Sequence, residues 1–287
     1  MNTFKTLISA EQLLSLMQAG RPLCVFDASF DLMNPVAGEQ QYREGHIPGA
    51  VFAHLDTVLS ASDDATAASG GRHPLPSREE FSAWLKSVGF ASDMQAVVYD
   101  RQSALYCARL WWMLKWAGHD AVAVLDGGLQ AWQAAGGAVA VGTEPAPTPS
   151  NFALQPELRA LATTAGVAQQ LGRPTQTLID ARGEPRFRGE VEPLDPVAGH
   201  IPGALNRPFG LNTGADGKFK PAAQLRAEFE RLLAGRNPST VVHYCGSGVS
   251  AVPNLLAMEV AGLGATSLYA GSWSEWCNDS SRPVAQG

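Results

Sequence analysis

Short runs of apolar residues alternate along this chain with longer stretches in which apolar positions recur every three or four residues. Leu23–Ala28, Ala96–Tyr99 and Ala121–Leu125 are almost wholly apolar and predict buried strands, whereas Arg78–Val88 and Ala104–Ala117 carry the helical period. The later half repeats the order, with strands at Thr177–Asp180, Thr240–Tyr244 and Ser267–Tyr269 and helices at Ala222–Leu233 and Ser250–Val260. Strands that are apolar throughout, alternating with helices, predict an α/β fold: a parallel sheet covered by helices on both faces. Ligands in such sheets sit beyond the carboxyl ends of the strands, so functional residues are expected just after a strand.

The pattern is doubled because the sequence is. His46-Ile47-Pro48-Gly49-Ala50 recurs as His200-Ile201-Pro202-Gly203-Ala204. Val97-Val98-Tyr99 corresponds to Val241-Val242-His243. Leu125-Asp126-Gly127-Gly128 with Trp132 corresponds to Tyr269-Ala270-Gly271-Ser272 with Trp276. Two tandem copies of one domain follow, residues 1–145 and 156–287. Between them Pro145, Pro147 and Pro149 block helix and interrupt sheet pairing, so 146–155 reads as an extended linker.

Composition narrows the function classes. The 287 residues suit two ordinary domains, and 45% apolar with 17% charged residues is a globular balance. The net charge is −6 and the basic residues form no run, which argues against nucleic acid and against a membrane as partner. The first nine residues show no basic stretch followed by an apolar one, and no apolar stretch is long enough to span a bilayer. The expected compartment is the cytoplasm. Cys24, Cys107, Cys245 and Cys277 show no CxxC spacing, so neither a zinc site nor a disulfide framework is expected. Cys24, Cys107 and Cys277 read as small buried hydrophobes.

Cys245 differs by its place. Cys245-Gly246-Ser247-Gly248-Val249-Ser250 lies between a predicted strand and a predicted helix. Two glycines let such a loop turn its N–H groups inward at a helix N-terminus, making an anion-binding concavity. A cysteine at its head would have its thiolate stabilised there and would be available as a nucleophile. The alternative is a glycine-rich turn that happens to contain a cysteine.

The loop and the doubled His-Ile-Pro-Gly-Ala element resemble the rhodanese superfamily in its two-domain form. The likeness runs from Leu23 to about Trp276 and includes the tail Gly271-Ser272-Trp273-Ser274-Glu275-Trp276. The loop is similar to the Cys-Gly-Ser-Gly-Val-Thr loop of the 3-mercaptopyruvate branch. The thiosulfate branch usually carries basic residues where this chain has Gly246 and Ser247.

The resemblance implies a sulfurtransferase in which Cys245 takes sulfur from a small donor as a persulfide. A thiol, cyanide or a reduced thioredoxin-like protein then accepts it, with no metal or organic cofactor. It implies that Ser247 works beside Cys245, that Arg186 binds the anionic donor, and that His46 is a proton-relay histidine. The recurrence of His46 as His200 favours a fold-holding role instead. No acidic third member matches, although Glu39 is nearby in sequence. Counting from the later correspondences, Arg101 stands in the first copy where Cys245 stands in the second, so only the second copy is expected to be catalytic.

One departure concerns the donor. The mercaptopyruvate branch usually has a second arginine in a Glu-Pro-Arg element, and this chain has Glu192-Pro193-Leu194. Losing such a clamp costs about 1.5–3 kcal/mol, roughly tenfold or more in binding, unless Arg188 or Arg207 replaces it. With Gly246 and Ser247 bringing no fixed positive charge, 3-mercaptopyruvate is the expected donor and thiosulfate the alternative. A phosphatase would need an arginine six positions after the cysteine, where this chain has Ala251. A non-catalytic binding module would be expected to lose the thiol that the second copy keeps.

Overall fold

The computed structural model describes residues 3–63 and 65–287. The chain divides into two compact units: Met1–Ser62 with Pro76–Leu158 and Ala215–Phe219, and Asp63–Leu75 with Arg159–Gly214 and Lys220–Gly287.

In the first unit the chain runs β1 (Leu7–Ile8), α1 (Ala10–Gln18), β2 (Leu23–Asp27), α2 (Ala37–Glu44), β3 (Val51–Phe52), α3 (Arg78–Ser87), β4 (Gln95–Tyr99), α4 (Cys107–Trp116), β5 (Val122–Leu125) and α5 (Gly128–Ala134). The strands form one parallel sheet in the order β1-β5-β4-β2-β3. Ser9 and Ser77 accept N–H groups of Gln12 and Glu80, whose side chains bond back, so α1 and α3 start in capping boxes. All ten residues of α4 are buried, including Arg109, whose guanidinium donates to the carbonyl of Leu59.

The second unit holds α6 (Thr164–Gln169), β6 (Thr177–Asp180), α7 (Glu184–Arg188), β7 (Leu205–Asn206), α8 (Ala222–Leu233), β8 (Val241–Tyr244), α9 (Val252–Val260), β9 (Ser267–Leu268) and α10 (Ser272–Trp276). Its parallel sheet runs β7-β6-β8-β9. Leu161 bridges Leu268 in parallel, extending the β9 edge. The core gathers Leu178, Val242 and Tyr244 from the sheet with Trp273 and Trp276 from α10.

The repeat is visible atom by atom. Tyr99 ends β4 opposite Asp27, and Tyr244 ends β8 opposite Asp180. The Tyr99 hydroxyl accepts the N–H of Ile47, and the Tyr244 hydroxyl that of Ile201, each at 3.1 Å. The match therefore pairs Tyr99 with Tyr244. The residue in the place of Cys245 is Asp100, not Arg101. Arg101 bonds Asp27 and the carbonyl of Gly45, as Arg182 bonds Asp180 and the carbonyl of Gly199.

Candidate active site

β8 delivers Cys245 to the carboxyl edge of its sheet, and the loop 245–251 leads into α9. The thiol residue is 1% exposed. Its N–H donates to Ser272 Oγ at 3.1 Å, and that hydroxyl donates to the carbonyl of Tyr269 at 2.9 Å. The carbonyls of Cys245 and Gly246 accept the N–H groups of Trp273 and Ser274 at 3.0 and 2.8 Å. The loop is thus tied to the first turn of α10. Gly248, at φ +74°, passes so close to that segment that a Cβ would meet the carbonyl oxygen of Ala270 at 2.3 Å, so no other residue fits. Val249 is buried and Ser250 half-buried beyond it.

The first unit shows what such a loop can hold. Asp100 heads the corresponding loop, and its carboxylate accepts N–H groups of Gln102, Ala104, Tyr106 and Cys107 at 2.9, 3.0, 2.8 and 2.9 Å. Burial pushes the Asp100 carboxyl above its ordinary range, against the four donors that hold its anion. Both loops turn through a left-handed residue at the matching place, Ser103 and Gly248. This fold's strand-to-helix loop is therefore an anion cradle, filled in the first copy by the chain's own carboxylate and headed in the second by a thiol.

Besides Ser272, the side chains of His73, Arg72 and Arg186 reach the Cys245 loop. Ser247 Oγ is 2.7 Å from His73 Nδ1, and both residues are buried. Arg72 and Arg186 flank Gly246: a Cβ there would lie 3.2 Å from Arg72 Nη2 and 3.6 Å from both terminal nitrogens of Arg186. Positive charge stands beside the loop after all, brought by other segments rather than by residues 246 and 247.

Each guanidinium is held by carboxylates. Arg72 Nη1 lies 2.5 Å from Asp195, and Arg186 lies 2.6 Å from Glu192 and 3.3 Å from Asp195. Glu192 also meets Arg182 at 3.2 Å, and Arg182 meets Asp180 at 2.6 Å while lying over the Trp273 ring. Charges alternate along this chain of contacts, which fixes the direction of each fork. Burial opposes ionisation of Glu192, but Arg186 and nearby N–H groups pull its carboxyl below the ordinary range. Burial dominates at Asp195 and raises it, with Arg72 working against.

A cavity of about 750 Å³ adjoins this cluster, lined among others by Gly71, Arg72, Leu194, Asp195 and Ser274. Arg72 and Leu194 thus face one space. Neither Arg188, exposed and paired with Glu184, nor Arg207, buried against Glu228, Asn212 and the Phe229 ring, is in this cluster.

His46 is not the histidine beside Ser247. It is fully buried, with Nδ1 2.8 Å from the carbonyl of Tyr42, Nε2 3.1 Å from Glu144, and its ring stacked on Tyr42 at 4.0 Å. His200 repeats that arrangement on Phe187, with Nδ1 2.7 Å from its carbonyl and the rings 3.8 Å apart. Each histidine bonds a helix carbonyl and pairs through its backbone with a later segment, at Ala140 and at Ala285. Glu39 pairs with Arg43 on the surface. Sequence reasoning missed Arg72 and His73 because they lie in a Gly/Ser/Ala-rich stretch with no period, although an arginine–histidine pair in such a loop is a chemical signal in itself.

Cys24 and Cys107 belong to the first unit, and Cys277 follows α10, its N–H bonded to the carbonyl of Trp273. Burial pushes Cys24 up to about 12, raises Cys107 well above its ordinary value, and raises Cys277. Among the described residues no cluster of three metal-binding side chains occurs and no helix is long and apolar enough to cross a membrane.

Known proteins resemble the chain over its full length. The family described as "Rhodanese-like domain" matches residues 9–135 and 163–279. A Pseudomonas aeruginosa protein, "Probable 3-mercaptopyruvate sulfurtransferase", is 48% identical over 98% of both chains. A Mycobacterium tuberculosis protein, "Putative thiosulfate sulfurtransferase SseB", is 43% identical over 99% of this chain and 98% of its own. The solved structure of 3-mercaptopyruvate sulfurtransferase from Leishmania major superposes with a TM-score of 0.84 at 29% identity, covering 98% of this chain and 76% of that one.

Proposed function

The chain belongs to the rhodanese family, in its two-domain form, and from that membership we propose that it is a sulfurtransferase moving sulfur from 3-mercaptopyruvate to an acceptor through a persulfide on Cys245. The observation that carries the reading is one loop: a thiol at the head of an anion cradle, with a hydroxyl–imidazole pair and two guanidinium groups around it.

In the first half the Cys245 thiolate attacks the donor's sulfur. The new S–S bond forms as the C–S bond breaks, and the electron pair leaves on carbon as the enolate of pyruvate. That carbon takes up a proton, and the Ser247 hydroxyl bonded to His73 is placed to pass one. Arg186 presents a fork that suits the donor's carboxylate. The loop N–H groups stabilise the persulfide anion, as the first copy's loop stabilises Asp100. In the second half an acceptor nucleophile takes the outer sulfur and Cys245 returns as thiolate. A small thiol, cyanide or a reduced thioredoxin-like protein has the required chemistry. Four free thiols suit the cytoplasm as the working compartment.

Thiosulfate is the second reading, favoured by the two guanidinium groups beside Gly246 and by the name of the mycobacterial relative. Glu192 and Asp195 offset that charge, which supports the singly charged donor. Steady-state rates with both donors test the assignment. The expected result is a higher kcat/KM for 3-mercaptopyruvate, and a tenfold preference for thiosulfate would overturn it.

A further inference from the structure

We propose that Arg72 is a second donor-binding group, a guanidinium that Asp195 aims across the cavity at the anionic end of whatever small molecule reacts with Cys245. It rests on the proposed function only for the identity of that molecule.

Four observations point the same way. Arg72 Nη2 comes nearer to the Cβ position of Gly246 than Arg186 does, 3.2 against 3.6 Å. Its Nη1 is committed to Asp195 at 2.5 Å, which leaves Nη2 facing the loop. Its Nε is buried with no hydrogen-bond partner among the described residues, so no protein acceptor competes for that edge of the fork. It also lines the cavity of about 750 Å³, so an occupant can reach it.

Several contacts hold Arg72 there. Gly71 lies at φ +89°, and a Cβ on it would meet the carbonyl oxygen of Gly271 at 2.5 Å; one on Gly70 would meet Glu275 at 2.7 Å. The paired glycines let this segment press on the start of α10, and the Arg72 N–H donates to Ser274 Oγ at 3.0 Å. The same turn of α10 donates to the Cys245 loop through the N–H groups of Trp273 and Ser274. One short helix therefore sets the positions of both thiol and guanidinium. His73, the next residue, meets Ser247, so a single segment brings the anion binder and the imidazole. Leu194 faces the same cavity with an apolar side chain, and Arg72 places positive charge there instead.

The test uses two reagents of nearly equal size, iodoacetate and iodoacetamide, which differ in charge. Their rates of reaction with Cys245 are measured in the full-length protein and in Arg72→Gln. The expected result is an iodoacetate rate lower by about tenfold or more in the variant, the loss of one charge-assisted hydrogen bond, with the iodoacetamide rate within about twofold. KM for 3-mercaptopyruvate rises in parallel while kcat changes little. Arg72→Lys, which keeps the charge and loses the fork, falls between them and carries the test if the glutamine variant does not fold. An unchanged iodoacetate-to-iodoacetamide ratio overturns the proposal. So does a wild-type Cys245 inert to both reagents, because an anion at Arg72 could not then reach the sulfur. Alkylation needs no sulfur transfer, so a protein inactive with mercaptopyruvate that shows the expected ratio would lose the functional reading and keep this one.

Discussion

Replacing each of two histidines by alanine separates the chemistry of this fold from its framework. His46→Ala removes hydrogen bonds to the carbonyl of Tyr42 and to Glu144 and a ring stacked at 4.0 Å. At about 1 kcal/mol for each hydrogen bond and about 0.5–1.5 kcal/mol for the aromatic pair, the loss is about 3 kcal/mol before any cavity. That corresponds to a fall in melting temperature of roughly 6–12 °C for a domain of this size. Turnover at 25 °C by the protein that remains folded is expected to be within about twofold of wild type. His73→Ala does the reverse. It removes the 2.7 Å partner of Ser247 and should slow turnover by about 10²–10⁴, the usual contribution of a positioned acid–base group, with a smaller thermal shift. Differential scanning calorimetry and pyruvate release measure the two effects separately. A His46→Ala variant that melts like wild type but has lost a hundredfold in rate would reverse the two assignments, as would a fully active His73→Ala.

Two further outcomes follow from the loop and its surroundings. Gly248→Ala forces a Cβ to 2.3 Å from a backbone oxygen and holds a side chain at φ +74°, about 1–2 kcal/mol from conformation alone. Its urea midpoint and its activity should both fall, and an alanine variant with wild-type activity would show that the loop is free to move. The raised values of Cys24, Cys107 and Cys277 keep these thiols protonated at pH 8, so native protein should take up one equivalent of iodoacetamide, on Cys245. Rapid labelling of a second cysteine would contradict the burial that raises them.

Physical signals that are local can be read from a sequence, and those that depend on distant contacts cannot. The strands Thr177–Asp180 and Thr240–Tyr244 stand out as apolar runs, and the structure has them at Thr177–Asp180 and Val241–Tyr244. Two-residue strands such as β3 and β7 are too short to carry a period. Helix α4 begins at Cys107 rather than Ala104, because the loop before it is wound around the Asp100 carboxylate with Ser103 and Ala104 at positive φ. The one-residue slip between Arg101 and Asp100 comes from matching Val97-Val98-Tyr99 to Val241-Val242-His243; the strand pairing opposite Asp27 and Asp180 and the tyrosine hydroxyls bonded to Ile47 and Ile201 set Tyr99 against Tyr244 instead. His46 is conspicuous because its motif is doubled, yet doubling marks what both copies need to fold. Arg72 and His73 occur once, in a stretch without hydrophobic rhythm, and their place beside Ser247 and Asp195 depends on contacts distant in sequence.

Whether sulfur rests on Cys245 between the two halves of the reaction can be weighed. Protein treated with a stoichiometric amount of 3-mercaptopyruvate, without acceptor, is digested under non-reducing conditions and its cysteine peptides are analysed by mass spectrometry. The expected result is one added sulfur atom, on the peptide containing Cys245, released by cyanide and absent from Cys245→Ser. Added sulfur on Cys24, Cys107 or Cys277 in its place, or sustained sulfur transfer by Cys245→Ser, would contradict a persulfide mechanism at this loop.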